Sequence, residues 1–174
     1  MNLRKNMTHA PWGWWSPALL FLFVCAALAS AGPSFVSAKP IWPKGRETEK
    51  NLSVGFRAAF KAPAQEKALL RATGATLYRV FLNGRFLGHG PARGPHGFFR
   101  VDEWDLTPKL QPGVNVVAFE VAGYNVNSYS LLDQPPFLQA EVVAGGKVLA
   151  STGGSGAGAA RSALISQRGS SSGT

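Results

Sequence analysis

The sequence predicts an all-β protein, a two-sheet antiparallel sandwich, on three observations. Residues 52–60 carry Leu, Val, Phe, Ala and Phe at alternate positions, with Ser, Gly and Arg among the residues between them. That period of two puts one strand face in a core and the other toward water. Short apolar runs then recur with a turn signal every ten residues or so, without the helical period that parallel α/β folds show. Gly and Pro are plentiful, 20 and 12 of 174 residues, in a chain that is 45% hydrophobic and only 16% charged, the balance of a globular protein rich in turns. The length holds one ordinary domain, since a sandwich of about 100 residues with a leader and a tail uses all of it.

Residues 1–38 read as a secretory signal. Arg4 and Lys5 supply the positive start, and residues 18–29 form an apolar core shorter than the ~20 residues of a spanning helix. Small residues offer cleavage after Ala31 (Ala29-Ser30-Ala31) or after Ala38 (Val36-Ser37-Ala38), and the sequence leaves both open. An exported chain, secreted or periplasmic, is the expectation, with the membrane met only through this segment. The one cysteine, Cys25, falls inside the leader, so the mature chain is expected to have neither a disulfide nor thiol chemistry. Val24 before it is not the small residue that a lipid-anchoring signal requires.

Residues 39–50 read as a linker and 51–152 as the sandwich. After the first strand, residues 61–64 break the run, a second strand covers 68–72, and Thr73-Gly74 turns the chain into residues 76–82. Asn83-Gly84 suits the positive φ values of a tight primed turn, which makes 76–82 and 85–88 an antiparallel hairpin. Residues 105–110 read as one helical turn, with Thr107 able to cap and Pro108 at the first helical position. Residues 114–122 are a strand with Val117, Phe119 and Val121 on one face and Glu120 on the other. The chain returns as 137–143, and Ala144-Gly145-Gly146 closes a last hairpin onto 147–150. Residues 153–174, dominated by Gly, Ser and Ala, are too poor in apolar surface to offset their ordering entropy and are expected to be disordered.

Three linked stretches carry a family resemblance. They are the hairpin signal Phe81-Leu82-Asn83-Gly84-Arg85-Phe86-Leu87, the run from Gly88-His89-Gly90-Pro91-Ala92-Arg93-Gly94-Pro95 through His96 and Phe98-Phe99-Arg100-Val101 to Asp102-Glu103-Trp104-Asp105-Leu106, and Leu110-Gln111-Pro112-Gly113-Val114-Asn115 followed by Val116-Val117-Ala118-Phe119. Over residues 40–152 the chain resembles the non-catalytic β-sandwich at the front of bacterial α-L-rhamnosidases and related glycoside hydrolases. The resemblance implies a jelly-roll, galactose-binding-like sandwich and an accessory role, because the catalytic carboxylates of that family lie in a separate helical barrel that this chain does not contain. In relatives further strands and the catalytic domain follow where this chain has its Gly/Ser/Ala tail, so a fragment of a truncated hydrolase, purely structural, is the alternative reading.

No catalytic constellation emerges from the residues themselves. There is no phosphate loop. A glycosidase needs two carboxyl groups about 5 to 10 Å apart across the scissile bond. Asp102, Glu103 and Asp105 are the candidates, but their places at a strand end and before a helical turn suit bracing and capping. His89 and His96 bracket the Gly-Pro loop near Asp102, yet zinc sites use tighter and more numerous ligands, and neither a metal nor a cofactor is expected. The formal charge of +9 is spread singly along the chain, so nucleic acid is not an expected partner. Arg79, Arg85, Arg93 and Arg100 are the one group that the hairpin and its following loop could gather on one edge.

Two loops offer the chemistry of sugar recognition, in which planar polar groups pair with hydroxyls and an aromatic ring meets the pyranose face. Arg93 and His96 present donors on the stiff Gly-Pro loop, and Tyr124, Asn125, Asn127, Tyr129 and Asp133 lie on the connection after the 114–122 strand. The plain readings, internal bracing of the first loop and a turn-rich connection in the second, stand beside these. The expected partner is a carbohydrate, plant-type or rhamnose-containing, or else a glycosidase catalytic domain.

Overall fold

The computed structural model describes residues 34–95, 97–127 and 134–154 together with the backbone of Arg161–Leu164. By its internal contacts the chain divides between Ala31 and Gly32, and everything described belongs to the second unit. That unit holds β1 (Leu52–Lys61), β2 (Ala68–Gly74), β3 (Leu77–Leu82), β4 (Arg85–Gly90), β5 (Asp102–Asp105), a single 3-10 turn (Thr107–Lys109), β6 (Val114–Gly123), β7 (Leu138–Ala144), β8 (Lys147–Ser151) and β9 (Arg161–Leu164). The strands make two antiparallel sheets, in the orders β4-β3-β6-β1-β9 and β5-β2-β7-β8.

The alternation read from the sequence is what closes the sandwich. Val54, Phe56, Ala58 and Phe60 of β1, Tyr78, Val80 and Leu82 of β3, and Val117, Phe119 and Val121 of β6 face inward from the first sheet. Ala68, Leu70 and Ala72 of β2 and Leu138, Ala140, Val142 and Ala144 of β7 meet them from the second. Each large side chain so buried contributes about 1.5–3 kcal/mol relative to leaving it in water. Tyr78 sits at the centre of this layer, edge-on to Phe119 (ring centroids 5.5 Å apart) and to Trp104 (6.0 Å).

Both hairpins turn as their residues dictate. Asn83 and Gly84 have φ of 51° and 78°, and Gly145 and Gly146 have 54° and 74°, the paired left-handed conformations of primed turns. Asn83 also ties its turn to β6. Its Oδ1 accepts from Val116 N–H at 2.8 Å, and its Nδ2 donates to Oδ1 of the buried Asn115 at 2.8 Å.

The structure differs from the expectations at four places. The helical turn is a 3-10 turn that begins at Thr107, and Thr107 does not cap it. Asp105 Oδ1 accepts from the Thr107 N–H at 2.9 Å, which leaves the Thr107 hydroxyl to accept from Ala68 N–H of β2 at 3.0 Å. Residues 34–38, placed in the leader, lie against the four-stranded sheet: Val36, Ser37 and Ala38 all donate to Glu141. Residues 39–50 are not a free linker, since Ile41 bridges Leu138 and Trp42 packs on Phe56 with ring centroids 6.0 Å apart. Within the 153–174 tail, Arg161–Leu164 form β9 on β1. Composition alone gave these four residues no partner, but the free edge of β1 offers them a row of backbone groups to pair with.

Candidate functional site

One sheet face carries a depression. Inward and outward positions alternate along β1, β3, β4 and β6, so the residues between the core positions assemble on the outer surface of the five-stranded sheet. Pairing sets them in rows. His89 of β4 lies opposite Arg79 of β3, and Arg79 opposite Glu120 of β6. In the next row Leu77 lies opposite Ala122, and Ala122 opposite Ser53 of β1. With Tyr124, which follows the end of β6, these residues line an open depression of about 430 Å³.

Its centre is charged and its margin apolar. Arg79 Nη2 stands 2.6 Å from Glu120 Oε2, an ion pair within the lining. The Arg79 side chain is 66% exposed and that of Glu120 37%, so the pair adds little to stability, and Glu120 Oε2 itself is covered. Leu77, 50% exposed, and Tyr124 supply apolar surface to the lining.

The carboxylates weighed as catalytic have other employment. Asp102 Oδ2 accepts the Tyr78 hydroxyl at 2.6 Å, and its Oδ1 takes Ala92 N–H at 3.3 Å. Burial, reinforced by the Asp102 carboxylate, pushes the Tyr78 phenol far above its ordinary range. Glu103 pairs with Arg71 at 2.9 Å. Asp105 is hydrogen-bonded by Thr107, most strongly through its side chain and then through its amide, and this, with a smaller contribution from Lys67, holds its carboxyl below the usual range. Among the described residues no group of three or more His, Cys, Asp or Glu is placed to hold a metal ion.

No family model matches the sequence, and no curated protein matches it. Solved structures do. The crystal structure of a GH78 family rhamnosidase of Bacillus sp. GL1 is similar at 29% sequence identity and a TM-score of 0.67, over 76% of this chain and 14% of that one. The chain resembles a domain-sized part of a GH78 α-L-rhamnosidase. The native α-L-rhamnosidase of Aspergillus terreus is similar at 18% identity and a TM-score of 0.49, over 68% of this chain and 15% of that one. A lectin of Pleurotus ostreatus, solved in complex with GalNAc, is similar at 13% identity and a TM-score of 0.42, over 74% and 33%. The functional comparison rests on the first of these.

In this rhamnosidase-like sandwich the signature run after β4 is largely a brace. Gly90, the last residue of β4, leaves room for Tyr78 and Asp102 to meet where a Cβ would collide with both. The Thr73 hydroxyl donates to the Arg100 carbonyl at 2.8 Å, and Phe99 packs edge-on against Phe137 at 4.9 Å. The residues expected to meet sugar are dispersed. Arg93 is exposed on the loop, and His96, Tyr129 and Asp133 lie outside the described residues. Tyr124 lines the depression and Asn127 is exposed nearby in sequence. Asn125 is buried, with φ of 48°, and its amide nitrogen donates to the carbonyls of Glu47 (2.7 Å) and Glu49 (3.3 Å), holding residues 43–50 in place.

Arg79 is paired with Glu120, while Arg85 stands beside the Asn83-Gly84 turn and Arg100 offers its carbonyl to Thr73. Ser53, Leu77, His89 and Glu120 were missed as a set. The outward position of each on its strand is present in the sequence, but only the β3–β4 hairpin is local, and the pairings of β6 with β3 and β1 that bring in Glu120 and Ser53 are not.

Proposed function

We propose that the chain is a non-catalytic accessory sandwich of an exported α-L-rhamnosidase-like glycoside hydrolase, and that the outer face of its five-stranded sheet binds a rhamnose-bearing carbohydrate. The likeness to part of a GH78 rhamnosidase supports the accessory role, since this chain spans 14% of that one. The observation that carries the binding role is the depression itself. Its volume of about 430 Å³ suits one or two sugar rings. The Arg79 guanidinium and Glu120 carboxylate offer planar donors and acceptors for neighbouring hydroxyls, and Tyr124 with Leu77 offers apolar surface to a ring face. Rhamnose, a deoxy sugar with a methyl group, meets both kinds of surface at once.

Titration calorimetry with L-rhamnose and rhamnosyl oligosaccharides tests this. Measurable binding is expected, weakened at least tenfold by Tyr124→Ala and by Arg79→Ala, and the absence of heat with every rhamnosyl ligand contradicts it.

A docking role is favoured by a different part of the same face. Phe81 and Phe86, ring centroids 5.7 Å apart, and the nearby Val116 and Val114 make an apolar patch in which Phe86 is 60% exposed. A catalytic domain resting there would bury it. Phe86→Ser lowers affinity for a separately produced barrel domain in that reading and leaves sugar binding unchanged.

A further inference from the structure

Glu141 is fully buried, yet it lies on the outer face of its sheet. Along β7, Leu138, Ala140, Val142 and Ala144 face the core, so the odd position 141 points away from it. What covers the carboxylate is residues 34–38. Val36 N–H donates to Oε1 at 2.8 Å, and Ser37 and Ala38 N–H donate to Oε2 at 3.0 and 3.2 Å. Arg71 Nη1 stands 3.8 Å from Oε1 and donates to the Ser34 carbonyl at 2.9 Å, while its Nε is engaged by Glu103. Gln139 donates to the Ala38 carbonyl at 2.8 Å. Three successive amides aimed at one carboxylate make a strap built for an anion, and a buried anion without its donors is strongly unfavourable.

We infer that the leader is removed at Ala31–Gly32 and not at Ala38–Lys39, so that the mature chain starts at Gly32 and keeps residues 34–38 as this strap. Both bonds carry small residues before them, but the second cut discards all three amide donors together with the Ser34 carbonyl that steadies Arg71. The first discards none of them, and it coincides with the division between the two compact units. The step is hydrolysis by a signal peptidase of the exporting cell. Water adds across the amide, its hydroxyl going to the Ala31 carbonyl carbon and its proton to the Gly32 nitrogen, which leaves as the new amino terminus. The inference rests on the export proposed above and is independent of sugar binding.

The full chain is expressed in an exporting bacterial host and the mass of the exported protein is read after denaturation. The expected species begins at Gly32. A species beginning at Lys39 overturns the inference while leaving export intact, and a chain retained in the cytoplasm with its leader attached overturns export and the inference together. A second readout uses Ser37→Pro, which removes one donor to Glu141, beside Ser37→Ala, which keeps it. In the exported protein Ser37→Pro lowers the melting temperature by about 5–10 °C and Ser37→Ala leaves it unchanged. Identical melting of Ser37→Pro and the unaltered chain, as expected if residue 37 is cut away, contradicts the strap.

Discussion

The Tyr78 hydroxyl donates to Asp102 Oδ2 across 2.6 Å, joining the centre of the core to the strand that closes the long loop after β4. The phenol is packed between Phe119 and Trp104. Its other oxygen accepts the Ala92 amide, so one carboxylate ties the two ends of the loop between β4 and β5. Asp102 is thereby a structural acceptor in the middle of the stretch that made the chain recognisable.

This pairing gives the fold an alkaline limit. Burial first, and the Asp102 bond second, raise the Tyr78 phenol above its ordinary value of 10.0. A raised acidic group stabilises fully below its unfolded value and loses that contribution as pH climbs from there toward the folded value. Denaturant midpoints are therefore expected to fall from about pH 10 upward. Tyr78→Phe should be less stable at neutral pH by about 1 kcal/mol and should decline less steeply above pH ~10. Parallel profiles for the two proteins would remove Tyr78 from the explanation.

Gly90→Ala probes the same junction from the backbone. An added Cβ meets the Asp102 carboxylate and the Tyr78 ring, so the hydrogen bond between them must shift. The expected loss is on the order of 1–3 kcal/mol. A midpoint equal to that of the unaltered chain would mean that the junction yields without cost.

The Asn83-Gly84 turn predicts an asymmetry. Either residue changed to Val forces a β-branched side chain into positive φ, at a cost of about 1–3 kcal/mol. Asn83→Val also cuts the bonds to Val116 and Asn115, so it should be the more damaging of the two by about 1 kcal/mol or more. Chemical denaturation of both variants checks the order, and the reverse ranking would deny Asn83 its role as a tie to β6.

Much of this architecture was legible because it is local. The period of two in β1 and β6 and the Asn-Gly and Gly-Gly turns act over a few residues, and each fixed its element within one or two positions. The parts that were not legible depend on distant partners. The bonds of Val36, Ser37 and Ala38 to Glu141 span more than 100 residues, and β9 exists only by pairing with β1. Nothing in the composition of either segment reports such an edge or such an acceptor. The candidate site was half legible for the same reason. Tyr124 was singled out from residue type, whereas Arg79, His89 and Glu120 become one surface only when β3, β4 and β6 are placed side by side.

The absence of hydrolysis is a separate expectation. Asp102, Glu103 and Asp105 are each engaged by Tyr78, Arg71 and the Thr107 amide, and none is held as a free acid facing a base. Purified chain incubated with an aryl rhamnoside should release phenol at the background rate. Turnover lost in Glu103→Gln would reverse this assignment.

The most direct measurement is an amide NMR titration of the folded chain with a rhamnosyl oligosaccharide, in which shifts are mapped to residues while the solution is monitored for free rhamnose. The prediction is saturable shifts centred on Ser53, Leu77, Arg79, His89, Glu120 and Tyr124, with the sugar recovered intact. Shifts centred on another surface, no shifts at ligand saturation, or release of rhamnose would contradict a non-catalytic domain that holds sugar on the outer face of its five-stranded sheet.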